Sequence, residues 1–301
     1  MEVKTIDAAK NRLGVWYGIA AFVTWGFLPL YWKLLQGVPP IEILYHRIFW
    51  SFIFMLLIVT VTRDWPAVIS LLKNGRKIFL VFLAGLLVSV NWYIYIYAVN
   101  SDQVIESSMG YFINPLVVVL LGVTVFKEKL GRWQMVALVL AFIGVMIITV
   151  QYGRVPWIAL ILAASFALYG MVKKLVGVSS TPGLTLETLI IMPAALFLIL
   201  RLESAGTGSF TAISPYLTIF LIGTGVITAI PLLLYARGIE NTTFSMIGFL
   251  QYIAPTINLF LGVFVFKEYF SSAHLLSFCF IWAALIIFTL SNTGILKNGS
   301  K

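Results

Sequence analysis

The sequence predicts an all-α integral membrane protein: ten transmembrane helices built as two five-helix repeats, the second inverted relative to the first. Three observations lead there. Of 301 residues, 61% are hydrophobic and only 10% are charged, with a mean hydropathy of +1.01, whereas a soluble domain carries roughly 25% charged residues. The apolar residues gather into ten runs, most near the length of about 20 that a helix needs to cross a hydrocarbon core. One run, with its flanks, recurs 140 residues downstream.

The spans follow in order. Residues 1–12 are polar and short, and the first apolar run covers 15–34. That run is too long for a signal-peptide core and lacks a small-residue cleavage site, so it reads as a retained first helix. The second run covers 43–61, the third 78–99, the fourth 104–126 and the fifth 133–150. The sixth covers 157–176, with Lys173 and Lys174 at its end, and the seventh is a short run over 184–200. The eighth covers 216–236, the ninth 244–266 and the tenth 274–290.

Charge orients these spans. With the N-terminus in the cytoplasm, 15 of the 20 Lys and Arg fall inside, from Lys4 to Lys297 and Lys301. Four fall outside: Lys33, Arg154, Arg201 and Lys267. Arg47 lies within a span. Such a bias is the positive-inside signature, and it places both termini in the cytoplasm. It also accounts for the net charge of +9 without nucleic acid, because there is no basic soluble domain to bind one. A single Cys279 excludes an internal disulfide and a cysteine metal site.

The repeat is read directly. Residues 113–128 are INPLVVVLLGVTVFKE and residues 253–268 are IAPTINLFLGVFVFKE, which pairs Pro115 with Pro255, Gly122 with Gly262 and Glu128 with Glu268. A weaker echo links Trp16 and Lys33 to Trp157 and Lys174 at an offset of 141. The halves are 1–152 and 153–301, each with five spans. An odd unit repeated once enters the membrane upside down, so the halves are related by a pseudo-two-fold axis in the membrane plane. Inverted repeats supply two alternate packings of one molecule, which is what alternating access requires.

At the level of motifs the chain resembles the EamA-type transporters of the drug/metabolite transporter superfamily, and within them the RarD-like branch. The residues that carry the resemblance are Trp25 to Lys33 (WGFLPLYWK), Glu42-x-x-x-His46-Arg47-x-x-Trp50-Ser51, Asn91-Trp92, Ser108 to Pro115 (SMGYFINP), and Lys127-Glu128-Lys129-Leu130. The resemblance implies a ten-helix inner-membrane carrier of small metabolites or drugs, often an exporter. The chain departs from strict symmetry where Ser277 and Ala284 of the last span stand opposite Ala137 and Gly144 of the first copy, which puts identical helix packing in doubt.

Candidate site residues come from polar groups at membrane depth, which are costly and so invite a functional reading. Glu42, His46 and Arg47 form an ionisable set on the second span. Glu42 and His46 are one turn apart and placed to pair. A structural ion cluster and a gate or substrate contact are both open, and His46 is a candidate proton sensor. On the fourth span Ser107, Tyr111 and Asn114 share a face, and on the ninth Ser245, Gly248, Gln251, Pro255 and Asn258 share a stripe. The expected cavity is lined by Trp25, Asn91, Tyr95, Tyr111, Asn114, Gln251, Tyr252 and Asn258, with Trp92, Thr224 and Thr228 nearby. Pro29, Pro115 and Pro255 are candidate kinks or gates, since each frees a backbone carbonyl. Helix–helix hydrogen bonding is the alternative role for these polar residues. Glu128 and Glu268 read as surface pairs with neighbouring lysines, and Glu106 is a further protonatable candidate.

There is no G-x-x-x-x-G-K-[ST] and no H-E-x-x-H, so neither a P-loop nor a zinc-protease motif is present. The expectation is a secondary or facilitated transporter with no cofactor, no metal and no enzymatic activity. Its partners are a small-molecule substrate and the lipid bilayer, with a homodimer left open. A channel, a non-transporting membrane protein and an intramembrane enzyme are the rivals.

Overall fold

The protein is described here from a computed structural model covering residues 8–101, 103–210, 215–267, 272–292 and 296. Lys4, Glu268, Lys297 and Lys301 lie outside the described residues.

Ten helices are long and apolar enough to cross a membrane, and no strand occurs among the described residues. The first two are α1 (Ala8–Lys33) and α2 (Pro40–Thr62). A short apolar helix outside the ten expected spans, α3 (Trp65–Leu72), comes before α4 (Gly75–Asn100), α5 (Val104–Thr124) and α6 (Arg132–Tyr152). The second half holds α7 (Trp157–Val176), α8 (Ser180–Ser204) and α9 (Pro215–Asn241). The ninth span is interrupted. It consists of α10 (Phe244–Leu250), α11 (Ile253–Phe260) and a π-helical stretch, Leu261–Phe266. The last span is α12 (Ser272–Asn292).

Helix α3 is apolar on both faces: Val68 and Leu71 are buried beside α4 and α8, and Trp65, Ile69 and Leu72 are exposed. The seventh span is longer than its apolar run. Residues 180–188 are wholly buried in protein, and Thr185 and Thr188 donate back to the carbonyls of Thr181 and Leu184 at 2.8 and 2.9 Å. Polar residues extend a helix here because they face protein rather than lipid.

The two related prolines act differently. Pro115 lies inside a continuous α5. At Pro255 the helix breaks at Gln251 and Tyr252. Proline has no N–H to give the Gln251 carbonyl, and Ala254 N donates to it instead at 3.3 Å, in a tighter turn. Pro29 sits inside α1, which runs on through it.

Helix α1 packs on α9 and α11, α4 packs on α7, α2 packs on α8 and α9, α5 packs on α7 and α10, and α6 packs on α12. Some of these approaches are close. A Cβ on Gly225 of α9 would overlap the Trp50 carbonyl of α2. At the α6–α12 crossing a Cβ on Gly144 would come 2.9 Å from the Ser277 carbonyl, and Ser277 Oγ donates to the Gly144 carbonyl at 2.7 Å. The departure from symmetry at these two positions is thus one complementary contact. The span ends also correspond. Lys127 and Lys267 both adopt left-handed backbone, with φ of 56° and 58°.

Candidate functional site

Helices α1, α2, α4, α5, α7 and α9, together with the break in the ninth span, surround one cavity of about 180 Å³. That is the room for water centres, of which one water needs about 10–15 Å³. From α1 come Phe22, Trp25, Leu28 and Trp32, and from α5 come Ser107, Gly110, Tyr111 and Asn114, each set a stripe at helical spacing. Tyr111 is 51% exposed though set deep in the protein, so the surface it exposes is cavity wall.

Arg47 supplies the charge. Its Nε donates to Thr228 Oγ1 at 3.1 Å, and its guanidinium lies 4.8 Å from the Trp32 ring centre and 5.4 Å from that of Trp92. Tyr95 and Tyr111 are near enough to feel this charge. Two aromatic faces at these distances favour a desolvated cation there. Glu42 and His46 point elsewhere. Successive helix residues turn by about 100°, so the pair shares one face and Arg47 another. The expected Glu42–His46 pairing is loose. His46 Nε2 lies 3.9 Å from Glu42 Oε1, while the Glu42 carboxylate accepts from Ser209 N at 2.6 Å and Ser209 Oγ at 2.7 Å. His46 Nδ1 accepts from Trp50 Nε1 at 3.2 Å, and its ring stacks on Phe210.

The amides differ in how they are used. Asn91 Nδ2 donates to the Leu162 carbonyl at 2.9 Å and to Ser165 Oγ at 3.0 Å, tying α4 to α7. Asn114 Nδ2 donates to the Ala163 carbonyl at 2.9 Å, but its Oδ1 has no partner. Gln251, only 6% exposed, makes no well-formed hydrogen bond at either amide atom, and its amide lies beside the Tyr235 hydroxyl. Buried polar groups are seldom left so.

Toward the end of the bundle that carries Lys173 and Lys174, aromatic rings close the cavity. Tyr235 lies 5.5 Å from Trp25 and 5.3 Å from Phe166, measured between ring centres. Below them Tyr169 and Lys173 both donate to Glu187, at 3.0 and 2.7 Å.

Of the residues singled out in the sequence, Trp25, Arg47, Asn91, Tyr95, Tyr111, Asn114, Gln251 and Pro255 meet around this cavity, with Trp92 and Thr228. Tyr252 does not. It is buried against α6 and α12, and its hydroxyl donates to the Phe112 carbonyl at 3.3 Å. Asn258, Pro29, Pro115, Glu42 and His46 are also outside the lining. Trp32 and Phe166 were missed. Trp32 continues the Phe22–Trp25–Leu28 stripe and was readable, whereas nothing in the sequence marks Phe166 among the lipid-facing aromatics.

One carboxylate reading needs correction. Glu128 is not a surface pair. Its side chain is 14% exposed and accepts from Phe244 N at 2.6 Å and Ser245 N at 2.8 Å, at the N-terminus of α10, with Lys174 Nζ 3.7 Å away. A carboxylate there satisfies orphan donors and faces the positive end of the helix dipole. Glu106 makes a related contact. It accepts from Ile158 N at 2.8 Å and Tyr152 Oη at 2.7 Å, fastening α5 to the start of α7. Among the described residues no three His, Cys, Asp or Glu side chains are grouped to hold a metal ion.

Residues 12–150 match the EamA-like transporter family. The chain is 48% identical over 290 residues to the uncharacterized transporter YojE of Bacillus subtilis, covering 94% of this chain and 95% of that protein. It is 41% identical over 285 residues to Protein RarD of Salmonella typhi, covering 95% and 97%. A solved crystal structure superposes with a TM-score of 0.72 at 15% identity, over 95% of this chain and 100% of the other, and shares the fold.

Proposed function

The chain belongs to the EamA-like transporter family, in its RarD-like branch, and from that premise we propose that it moves a small organic molecule across the cytoplasmic membrane by alternating access. The observation that carries this reading is the cavity itself. It lies where α5 of the first half faces the broken ninth span of the second, with Asn114 on one side and Gln251 on the other. Carriers built from inverted repeats hold substrate at such an interface.

The division into halves 1–152 and 153–301 has support of its own. If each span is exchanged with the one five places on, the principal contacts map onto one another. The contact of α1 with α9 becomes that of α7 with α4, and the contact of α5 with α7 becomes that of the ninth span with α1. Spans two and seven, four and nine, and five and ten each pack on their own counterpart. The matching left-handed Lys127 and Lys267 agree. The positive-inside count supports termini in the cytoplasm. In that frame the cavity occupies the outer half of the bundle and the aromatic floor seals its inner side. Net outward movement follows the exporters that the chain resembles.

Purified protein in liposomes tests the reading. Counterflow of a labelled compound, driven from a metabolite mixture trapped inside, is saturable for a carrier. A channel gives flux without counterflow, and a chemically altered product marks an enzyme. Either of those outcomes displaces the carrier reading.

A further inference from the structure

We propose that the cavity is built for a small organic anion: a carboxylate held by Arg47, joined to an aromatic or branched apolar body. The inference rests on reading this cavity as the substrate site and names the class of substrate.

Arg47 is charged at any working pH, and a charge at membrane depth requires a partner. Among the described residues Arg47 takes part in no ion pair: those present join His46 to Glu42, Arg154 to Glu106, Lys173 to Glu187 and Lys174 to Glu128. Thr228 takes only the Nε proton. The two terminal amino groups remain, and they are the pair that grips a carboxylate in bidentate fashion. Trp32 and Trp92 flank the guanidinium, which limits the orientations open to it. The protein thus supplies a cation, a neutral anchor and no counter-ion.

The rest of the cavity selects the body of the ligand. Trp25, Leu162 and Phe166 give apolar wall. Asn114 Oδ1 is nine-tenths buried and unpartnered, and with the equally buried Gln251 amide beside it suits one hydroxyl or amide on the ligand. A volume of about 180 Å³ holds roughly a dozen water-sized groups, the size of a single-ring compound.

The test uses purified full-length protein and four probes: phenylacetate, its neutral isostere phenylacetamide, the cation phenethylamine, and inorganic phosphate. Thermal stabilisation is titrated for wild type, Arg47→Gln and Arg47→Lys. Phenylacetate should half-saturate at a concentration roughly tenfold or more below phenylacetamide, with the amine and phosphate inert. Arg47→Gln should erase the preference. Arg47→Lys keeps the charge without the fork, should reduce the preference, and carries the test alone if Arg47→Gln does not fold. Equal action of acid and amide, stabilisation by phosphate as strong as by phenylacetate, a preference surviving in Arg47→Gln, or no stabilisation by any probe overturns the proposal. Counterflow separates this failure from failure of the carrier reading. Saturable counterflow of neutral or cationic compounds alone leaves a carrier without an anion site, while phenylacetate binding without any counterflow leaves an anion site without a carrier.

Discussion

Glu128→Gln should loosen one end of the bundle. Glu128 belongs to the first half, and the groups it holds, Phe244 N, Ser245 N and Lys174 Nζ, belong to the second. If the halves move against each other, this contact must break whenever that end opens. Glutamine keeps the shape and one neutral acceptor, but it loses the charge and turns an N–H donor toward another N–H. A hydrogen bond to a charged group is worth about 1.5–3 kcal/mol and a neutral one about 0.5–1.5. Losing two of the first and keeping one of the second, with some water reaching a side chain 14% exposed, gives a net loss of about 2–3 kcal/mol. At 1.4 kcal/mol per decade, the open population rises roughly 30- to 150-fold.

The reporter for this opening is Val118→Cys in a Cys279→Ala background. Val118 is fully buried and packs against Gly248 at the α5–α10 seam, so a water-soluble thiol reagent reaches it only when the seam opens. The labelling rate should rise by the factor above in Glu128→Gln and change less in Glu128→Asp. Labelling unchanged in a folded Glu128→Gln protein would refute the idea that this carboxylate locks the halves.

Three further outcomes are expected. Pro255→Ala restores a donor for the Gln251 carbonyl and should straighten the ninth span, leaving insertion intact, raising the melting temperature and lowering flux; unchanged flux removes the break from the mechanism. Cysteines at positions 111, 114 and 251, each in the Cys279→Ala background, should react with a water-soluble thiol reagent and be protected by a transported substrate, and inert thiols at all three would refute the cavity placement. Gly225→Ala drives a Cβ into the Trp50 carbonyl and should cost about 1–3 kcal/mol by overpacking, read as a lower melting temperature in detergent; a melting temperature equal to wild type would mean that α2 and α9 yield at no cost.

What the sequence could state about this protein was whatever depends on one helix at a time. Ten spans were readable because hydropathy is a property of a single segment. The cavity-facing stripe on α5 was readable because its spacing is internal to one helix, whereas of the expected ninth-span stripe only Gln251 and Pro255, and of the α1 pair Trp25 and Pro29 only Trp25, reach the cavity. Glu128 was misread because its partners lie 116 and 117 residues away, and no local pattern separates a buried helix cap from a solvated lysine neighbour. Arg47 stands beside Glu42 and His46 along the chain, but the 100° turn per residue puts it on a different face, and which groups that face meets depends on α1, α4 and α9.

The prolines carry the last step. As a sequence feature Pro115 and Pro255 are equivalent, and both were read as kinks. In the fold one is absorbed and the other breaks its helix, although the spans around them end alike at left-handed Lys127 and Lys267. The recurring segment does not meet the same environment twice. The start of α10 is clamped by Glu128 and capped by Thr243, so its direction is fixed from outside, and the missing hydrogen bond at Pro255 is where the span turns. Gln251, at that break, stands in the cavity wall opposite Asn114, whose helix is continuous. The cavity thus draws its walls from both halves of the chain but is one-sided in its chemistry, with Arg47 the only cation among the lining residues and standing in the first half. A cavity of that kind orients its ligand, which a strictly symmetric one does not.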